Sequence, residues 1–223
     1  VTEIRINGLT ELAWFGEPRE TATVGVLLLH GRTQNPEAMR EMLVDRIALP
    51  GVRYLAPRSV GDSWYPSGFL APAADNEPRL TESIAALGTC SDLLAAEGFP
   101  QPAQVLLGFS QGACLGCEYV WRSQQAFGGL LALTGGLIGP KETRHWAHSP
   151  QGALAWKEMP VLLGGSTEDP WVPAFTMRET ADVFASHGAR ARIKLYDSKE
   201  HEVPDDQIAA ARAILTELRD RAR

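Results

Sequence analysis

Short apolar runs alternate with longer amphipathic stretches along this chain, and that alternation defines its elements. Residues 23–29 (TVGVLLL), 105–109, 129–134 and 161–164 are short, largely apolar runs, of the kind that form strands buried on both faces of a sheet. Residues 52–56 and 191–196 read as further strands, and 4–6 and 12–15 as short edge strands. Apolar positions recur at helical spacing over 36–48, 78–97, 111–124, 173–187 and 204–221. Asn76 stands where it would cap the second helix, with Pro78 near its first turn, and Gly188 stops the fourth. Two stretches fit neither pattern. Residues 58–77 are rich in Pro and Gly, and 139–159 carry His145, Trp146, His148 and Trp156. Loops of such length in compact domains are often functional.

Strands alternating with helices imply right-handed crossovers and an α/β fold, a mainly parallel central sheet with helices on both faces. Ligands bind beyond the carboxyl ends of the strands in such sheets, so the chemistry is expected there. A length of 223 residues without internal repeats predicts one domain over 1–223, with no room for a large lid. The net charge of −6 leaves no basic surplus to neutralise phosphates, which excludes a general nucleic-acid partner and an electrostatic membrane anchor. The apolar run 24–29 is far too short to span a bilayer, and the first residues show no signal-peptide pattern. Cys90, Cys114 and Cys117 are an odd count, as expected of reduced thiols in the cytoplasm. Cys114 and Cys117 form C-x-x-C within a predicted helix. Buried helix thiols are the first reading and a redox or metal role the second; with no second pair, no metal site is expected.

The candidate chemistry begins at Gly108-Phe109-Ser110-Gln111-Gly112, which closes one strand and opens a helix. G-x-S-x-G in that context is a nucleophile elbow, a sharp turn that presents the serine hydroxyl. The glycines let strand and helix approach closely, and the first helical N–H groups point toward a reacting carbonyl. Ser110 is therefore the candidate nucleophile.

A serine needs a base, and the base an acid to hold its tautomer. Four histidines follow Ser110. His145 and His148 precede the strands that would supply the acid, and His187 stands at a helix end. His201, in the loop after the last strand, is the expected base. The acid is expected after the preceding strand, at Asp169, where Pro170-Trp171-Val172-Pro173 defines a turn; Glu168 is the runner-up and Asp197 a weaker alternative. Leu27-Leu28-Leu29-His30-Gly31-Arg32 ends a central strand, so the Arg32 and Gln111 N–H groups are candidates for an oxyanion hole. His30 reads better as a brace for this loop than as a base.

These pieces together resemble the phospholipase/carboxylesterase family of α/β-hydrolases, which includes acyl-protein thioesterases and small bacterial carboxylesterases. The resemblance rests on LLLHG at 27–31, SWYP at 63–66, GFSQG at 108–112, GGSTEDPWVP at 164–173 and the loop with His201-Glu202. It implies the α/β-hydrolase fold, a Ser110–Asp169–His201 triad, donors at Arg32 and Gln111, and hydrolysis of carboxylic esters or thioesters without a cofactor. The family often continues His-Gly-x-Gly, and Thr33 replaces that second glycine here. Arg32 beside a reacting ester reads as a structural residue or as a contact to an anionic substrate group.

Trp64, Tyr65, Phe69, Leu137, Ile138 and Trp171 are expected to wall a pocket for an acyl chain or aryl ester. The expected partner is a small ester substrate, and a monomer or homodimer is equally compatible. Hydrolysis of small to medium esters is the first reading, and lysophospholipase or thioesterase action the second. A non-catalytic binding protein of the same fold is the reading from another class.

Overall fold

The structure is a computed structural model that describes residues 6–140 and 156–222. Among these residues, seven strands form one sheet in the order β1-β3-β2-β4-β5-β6-β7. β1 (Leu9–Gly16) lies antiparallel to β3 (Val52–Ser59) at one edge. β2 (Val24–Leu29), β4 (Gln104–Phe109), β5 (Gly129–Leu133), β6 (Pro160–Ser166) and β7 (Arg190–Tyr196) are parallel to it and to one another. The chain leaves β2 toward β3 on one side and resumes at β4 on the other. The strand order thus reverses between β2 and β4, where a crevice opens at the carboxyl edge.

The apolar runs sort their side chains by parity. Val24, Val26 and Leu28 of β2, with Val105 and Leu107 of β4, face one core layer; Leu27, Leu29 and Leu106 face the other. On the first side lie α1 (Pro36–Met39), a π-helical turn (Arg40–Val44), α2 (Asp45–Ile47) and α6 (Asp205–Arg221). On the second lie α3 (Arg79–Ala96), α4 (Gln111–Ser123) and α5 (Ala174–Ser186). Cladding on both faces is why the inner strands carry no polar alternation.

Several local expectations need correction. The edge strand expected over 4–6 lies mostly outside the described residues, where only Ile6 is seen, before β1 in a turn made by Gly8 (φ +85°) and the bond from Leu9 N–H to Ile6 O (3.1 Å); β1 itself runs longer than the expected 12–15. The helix expected over 36–48 is broken by its π turn and closed by Ala48 in the left-handed region (φ 44°). β3 extends to Ser59 because β1 pairs along it from Arg53 to Ser59, beyond the end of its pairing with β2 at Leu55. Asn76 does not cap α3: its side chain is buried, accepting Ser67 N–H (2.8 Å) and donating to Gly68 O (3.2 Å). Glu77 takes the capping role instead, accepting Thr81 N–H (3.0 Å). His145, Trp146 and His148 lie outside the described residues.

Cys90, Cys114 and Cys117 are buried on α3 and α4 and take part in no disulfide among the described residues. Burial pushes the Cys90 thiol up to about 12 and that of Cys117 well above its usual range, which favours the protonated thiol at both. Among the described residues, no helix is long and apolar enough to cross a membrane.

Candidate active site

Ser110 is the joint between β4 and α4, and its backbone sits at φ 51°, ψ −119°. That region is costly for a residue with a side chain and persists only where the surroundings over-determine it. Here they do. Ser110 N–H donates to Leu133 O (3.0 Å) on the neighbouring strand, and Ser110 O accepts Cys114 N–H (3.0 Å) in the first helical turn. A Cβ at Gly108 would lie 2.6 Å from the carbonyl carbon and oxygen of Gly112. One at Gly112 would strike Leu29 O and sit 2.6 Å from His30 O. Both glycines are therefore required by backbone contacts on β2 and α4.

The loop after β7 places His201 Nε2 2.8 Å from Ser110 Oγ and its Nδ1 2.8 Å from Asp169 Oδ2. The other oxygen, Asp169 Oδ1, accepts the Trp171 and Val172 N–H groups, each at 2.8 Å. A buried carboxylate only accepts, so Nδ1 carries the proton and the Nε2 lone pair faces the serine hydroxyl. The acid and base loops are tied directly: Thr167 N–H donates to Tyr196 O (2.8 Å) and Glu168 N–H to Ser198 O (3.1 Å). Phe109 packs against the imidazole at 5.0 Å between ring centroids. Glu168 instead turns outward to Lys199 (3.3 Å), and Asp197 is exposed. His187 bonds Val183 O (2.8 Å) at the end of α5.

His30, at the end of β2, is buried and fully engaged. Ser59 N–H donates to its Nε2 (3.1 Å), so its Nδ1 donates to Gly31 O (2.7 Å). Burial lowers its pKa and keeps the ring neutral. The ring braces the loop that carries Arg32. As the first residue of α4, Gln111 has an N–H with no helical acceptor. Thr33, where the family often has glycine, takes φ +64°; its N–H donates to Asp62 O (2.8 Å) and its hydroxyl to Arg32 O (2.6 Å). The Arg32 guanidinium is engaged by the carbonyls of Tyr65, Pro66 and Ser67, which makes it a structural clasp.

Among the described residues, two clefts meet at Ser110 and His201. The larger, about 600 Å³, is the more polar of the two, with Gln34, Arg46, Glu202 and Asp205 beside Met42, Phe109 and Val203 on its walls. The smaller, about 380 Å³, is mainly apolar, lined by Tyr65, Phe69, Cys114, Trp171 and Val172. Trp171 stands at its rim, 71% exposed. Burial and the Cys114 thiol hold the Tyr65 phenol protonated. Three expected wall residues need correction. Trp64, Leu137 and Ile138 line neither cleft and are packed in the core. The Trp64 indole N–H donates to His30 O (2.8 Å), which turns the ring inward. The polar lobe had no sequence signal: Arg46 and Asp205 are 159 positions apart and meet only because α2 and α6 share a face (2.7 Å).

A parallel sheet with its switch point at β2 and β4, and an elbow at the end of β4, define an α/β-hydrolase fold. The chain belongs to the phospholipase/carboxylesterase family, whose sequence profile matches residues 13–218. It is similar to a phospholipase/carboxylesterase from Dyadobacter fermentans, with 30% identity over 92% of this chain and 96% of that one, at a TM-score of 0.84. Esterase PE8 shares the fold at 22% identity, covering 94% of this chain and all of its own (100%), with a TM-score of 0.77. Acyl-protein thioesterase 2 of Zea mays shares it at 18% identity, 94% and 99% coverage and a TM-score of 0.72. Among curated proteins, none matches the chain.

Proposed function

We propose that this protein is a serine carboxylesterase that hydrolyses small to medium carboxylic esters through an acyl-enzyme on Ser110. The observation that carries this reading is the unbroken hydrogen-bonded chain from Ser110 Oγ through His201 to Asp169. Ser110 Oγ bonds to the ester carbonyl carbon while its proton passes to His201 Nε2. The displaced π pair resides on the carbonyl oxygen, held by the Arg32 and Gln111 N–H groups; losing one such donor costs about 3–4 kcal/mol of transition-state stabilisation. The intermediate collapses, the ester C–O bond breaks, and His201 protonates the leaving alkoxide. Water then attacks the acyl-enzyme with His201 again as base, freeing the acid and restoring Ser110. Asp169 holds the imidazole tautomer and stabilises its cation.

The apolar lobe suits the acyl group. The polar lobe, with amide, guanidinium and carboxylate groups, suits a hydrophilic alcohol. The test is labelling by a fluorophosphonate together with turnover of p-nitrophenyl esters from acetate to palmitate and of one acyl-thioester. Wild type is expected to label and to favour short and medium acyl chains. Ser110→Ala is expected to lose labelling and at least about 10⁴-fold in kcat. A folded wild type that neither labels nor turns over any ester overturns the proposal. A preference for palmitate or for the thioester would move it to the lysophospholipase or thioesterase branch.

A further inference from the structure

We propose that residues 63–67 act as a strap that couples filling of the apolar lobe to the alignment of the two oxyanion donors, with Arg32 as the positioning residue. This rests on the serine esterase reading above. Both proposed donors belong to residues whose side chains grip the same segment. Arg32 Nη1 donates to Pro66 O (2.8 Å), and its Nη2 to Tyr65 O (3.0 Å) and Ser67 O (2.7 Å). Gln111 Nε2 donates to Tyr65 O (2.8 Å), while its Oε1 accepts Trp64 N–H (3.0 Å). Ser63 Oγ also donates to Tyr65 O (3.0 Å). One carbonyl thus joins the β2 loop, the start of α4 and the strap.

The strap is the wall of the apolar lobe as well. Tyr65 and Ser67 line it, and the chain continues directly into Gly68 and Phe69, which complete that side. From behind, Ser83 Oγ donates to Trp64 O (2.7 Å) and Asn76 accepts Ser67 N–H (2.8 Å). An acyl chain pressing on this wall therefore acts on a body whose fastenings are the side chains of the oxyanion residues. Displacement of reacting groups by about 1 Å can cost about 10²-fold in rate, so small shifts in the strap are consequential. The planar guanidinium fork reaches consecutive carbonyls in a way that a lysine ammonium does not reproduce.

The experiment compares wild type, Arg32→Ala, Arg32→Lys, Gln111→Ala and the Arg32→Ala/Gln111→Ala double variant. Thermal melting is recorded for each, and kcat and KM are separated for p-nitrophenyl acetate, butyrate and octanoate. In wild type, kcat is expected to rise from acetate to the esters that fill the lobe. In Arg32→Ala, kcat for the longer esters falls about tenfold and for acetate less than about threefold, with KM nearly constant. Arg32→Lys, which keeps the charge without the fork, shows the same flattening. If the alanine variant melts below the assay temperature, the lysine variant decides. The double variant loses no more kcat than the worse single one, because both act through the Tyr65 carbonyl. An acyl-independent kcat in wild type, an equal loss across all esters, a change confined to KM, or additive losses would each overturn the proposal. Wild type without any ester turnover would instead overturn the esterase reading beneath it.

Discussion

The elbow at Ser110 and the strap at residues 63–67 meet in the same cleft but are held by different materials. Backbone holds the elbow: Gly108 against Gly112, and Gly112 against the carbonyls of Leu29 and His30. Side chains hold the strap, through Arg32, Gln111, Asn76 and Ser83. Geometry built from close backbone contact cannot relax around an added atom. Geometry built from side-chain hydrogen bonds can be retuned one bond at a time. The elbow therefore suits a constant chemical step, and the strap a selective one.

The sharpest way to break this comparison is to add one methyl to each region. At Gly112 the new Cβ meets backbone oxygens on β2, so Gly112→Ala is expected to abolish turnover of every ester and to reduce the yield of folded protein. At Gly68, beside the strap, a Cβ meets nothing within 4 Å. Gly68→Ala is expected to melt within about 2 °C of wild type, as surface changes usually stay within about 0.5 kcal/mol. Melting curves and ester turnover of both variants check this. Equal tolerance at the two positions would remove the distinction.

A smaller effect is expected from the buried amide behind the strap. Asn76→Ala leaves Ser67 N–H and Gly68 O without their partner, at a cost of about 1–3 kcal/mol. That corresponds to a fall in Tm of roughly 2–12 °C for a chain of this size. Turnover of the butyrate ester should fall further than that of the acetate ester, since the loosened wall faces the acyl group. A stable Asn76→Ala with an unaltered acyl profile would show that the strap is held without it.

The same contrast explains what was legible in the amino-acid sequence. The sheet and the Ser110, Asp169 and His201 constellation were readable because they are local: an apolar run, a tight turn and a loop at a strand end. Asn76 reads as a cap because its position before a helix matches one, while its partners in the structure are loop groups at Ser67 and Gly68. Trp64 reads as a pocket residue because an aromatic in a long loop carries no sign in the sequence of which way it turns. Its indole follows the His30 carbonyl into the core. The polar lobe had no signature at all, because Arg46 and Asp205 become neighbours only when α2 and α6 pack side by side.

The smallest effect lies where the two regions touch. His30 belongs to both: its carbonyl abuts Gly112 in the elbow and accepts the Trp64 indole N–H from the strap, and its ring packs on Trp64 at 4.7 Å. The neutral ring uses both nitrogens, accepting from Ser59 and donating to Gly31. A proton on Nε2 would face the Ser59 N–H. Burial holds the pKa of His30 below its ordinary value, against the opposing pulls of the bond to the Gly31 carbonyl and of Asp62, with Arg58 adding to the lowering. Between the folded value and the unfolded one, near 6.5, the unfolded chain binds the extra proton, so stability falls as pH drops through that window and levels off below it. The comparison is differential, so that groups common to both proteins cancel. His30→Gln is expected to melt lower than wild type at pH 8 and to lose less stability than wild type between pH 7 and about 5. Parallel melting curves across that range for the two proteins would mean that His30 does not couple the proton to the fold.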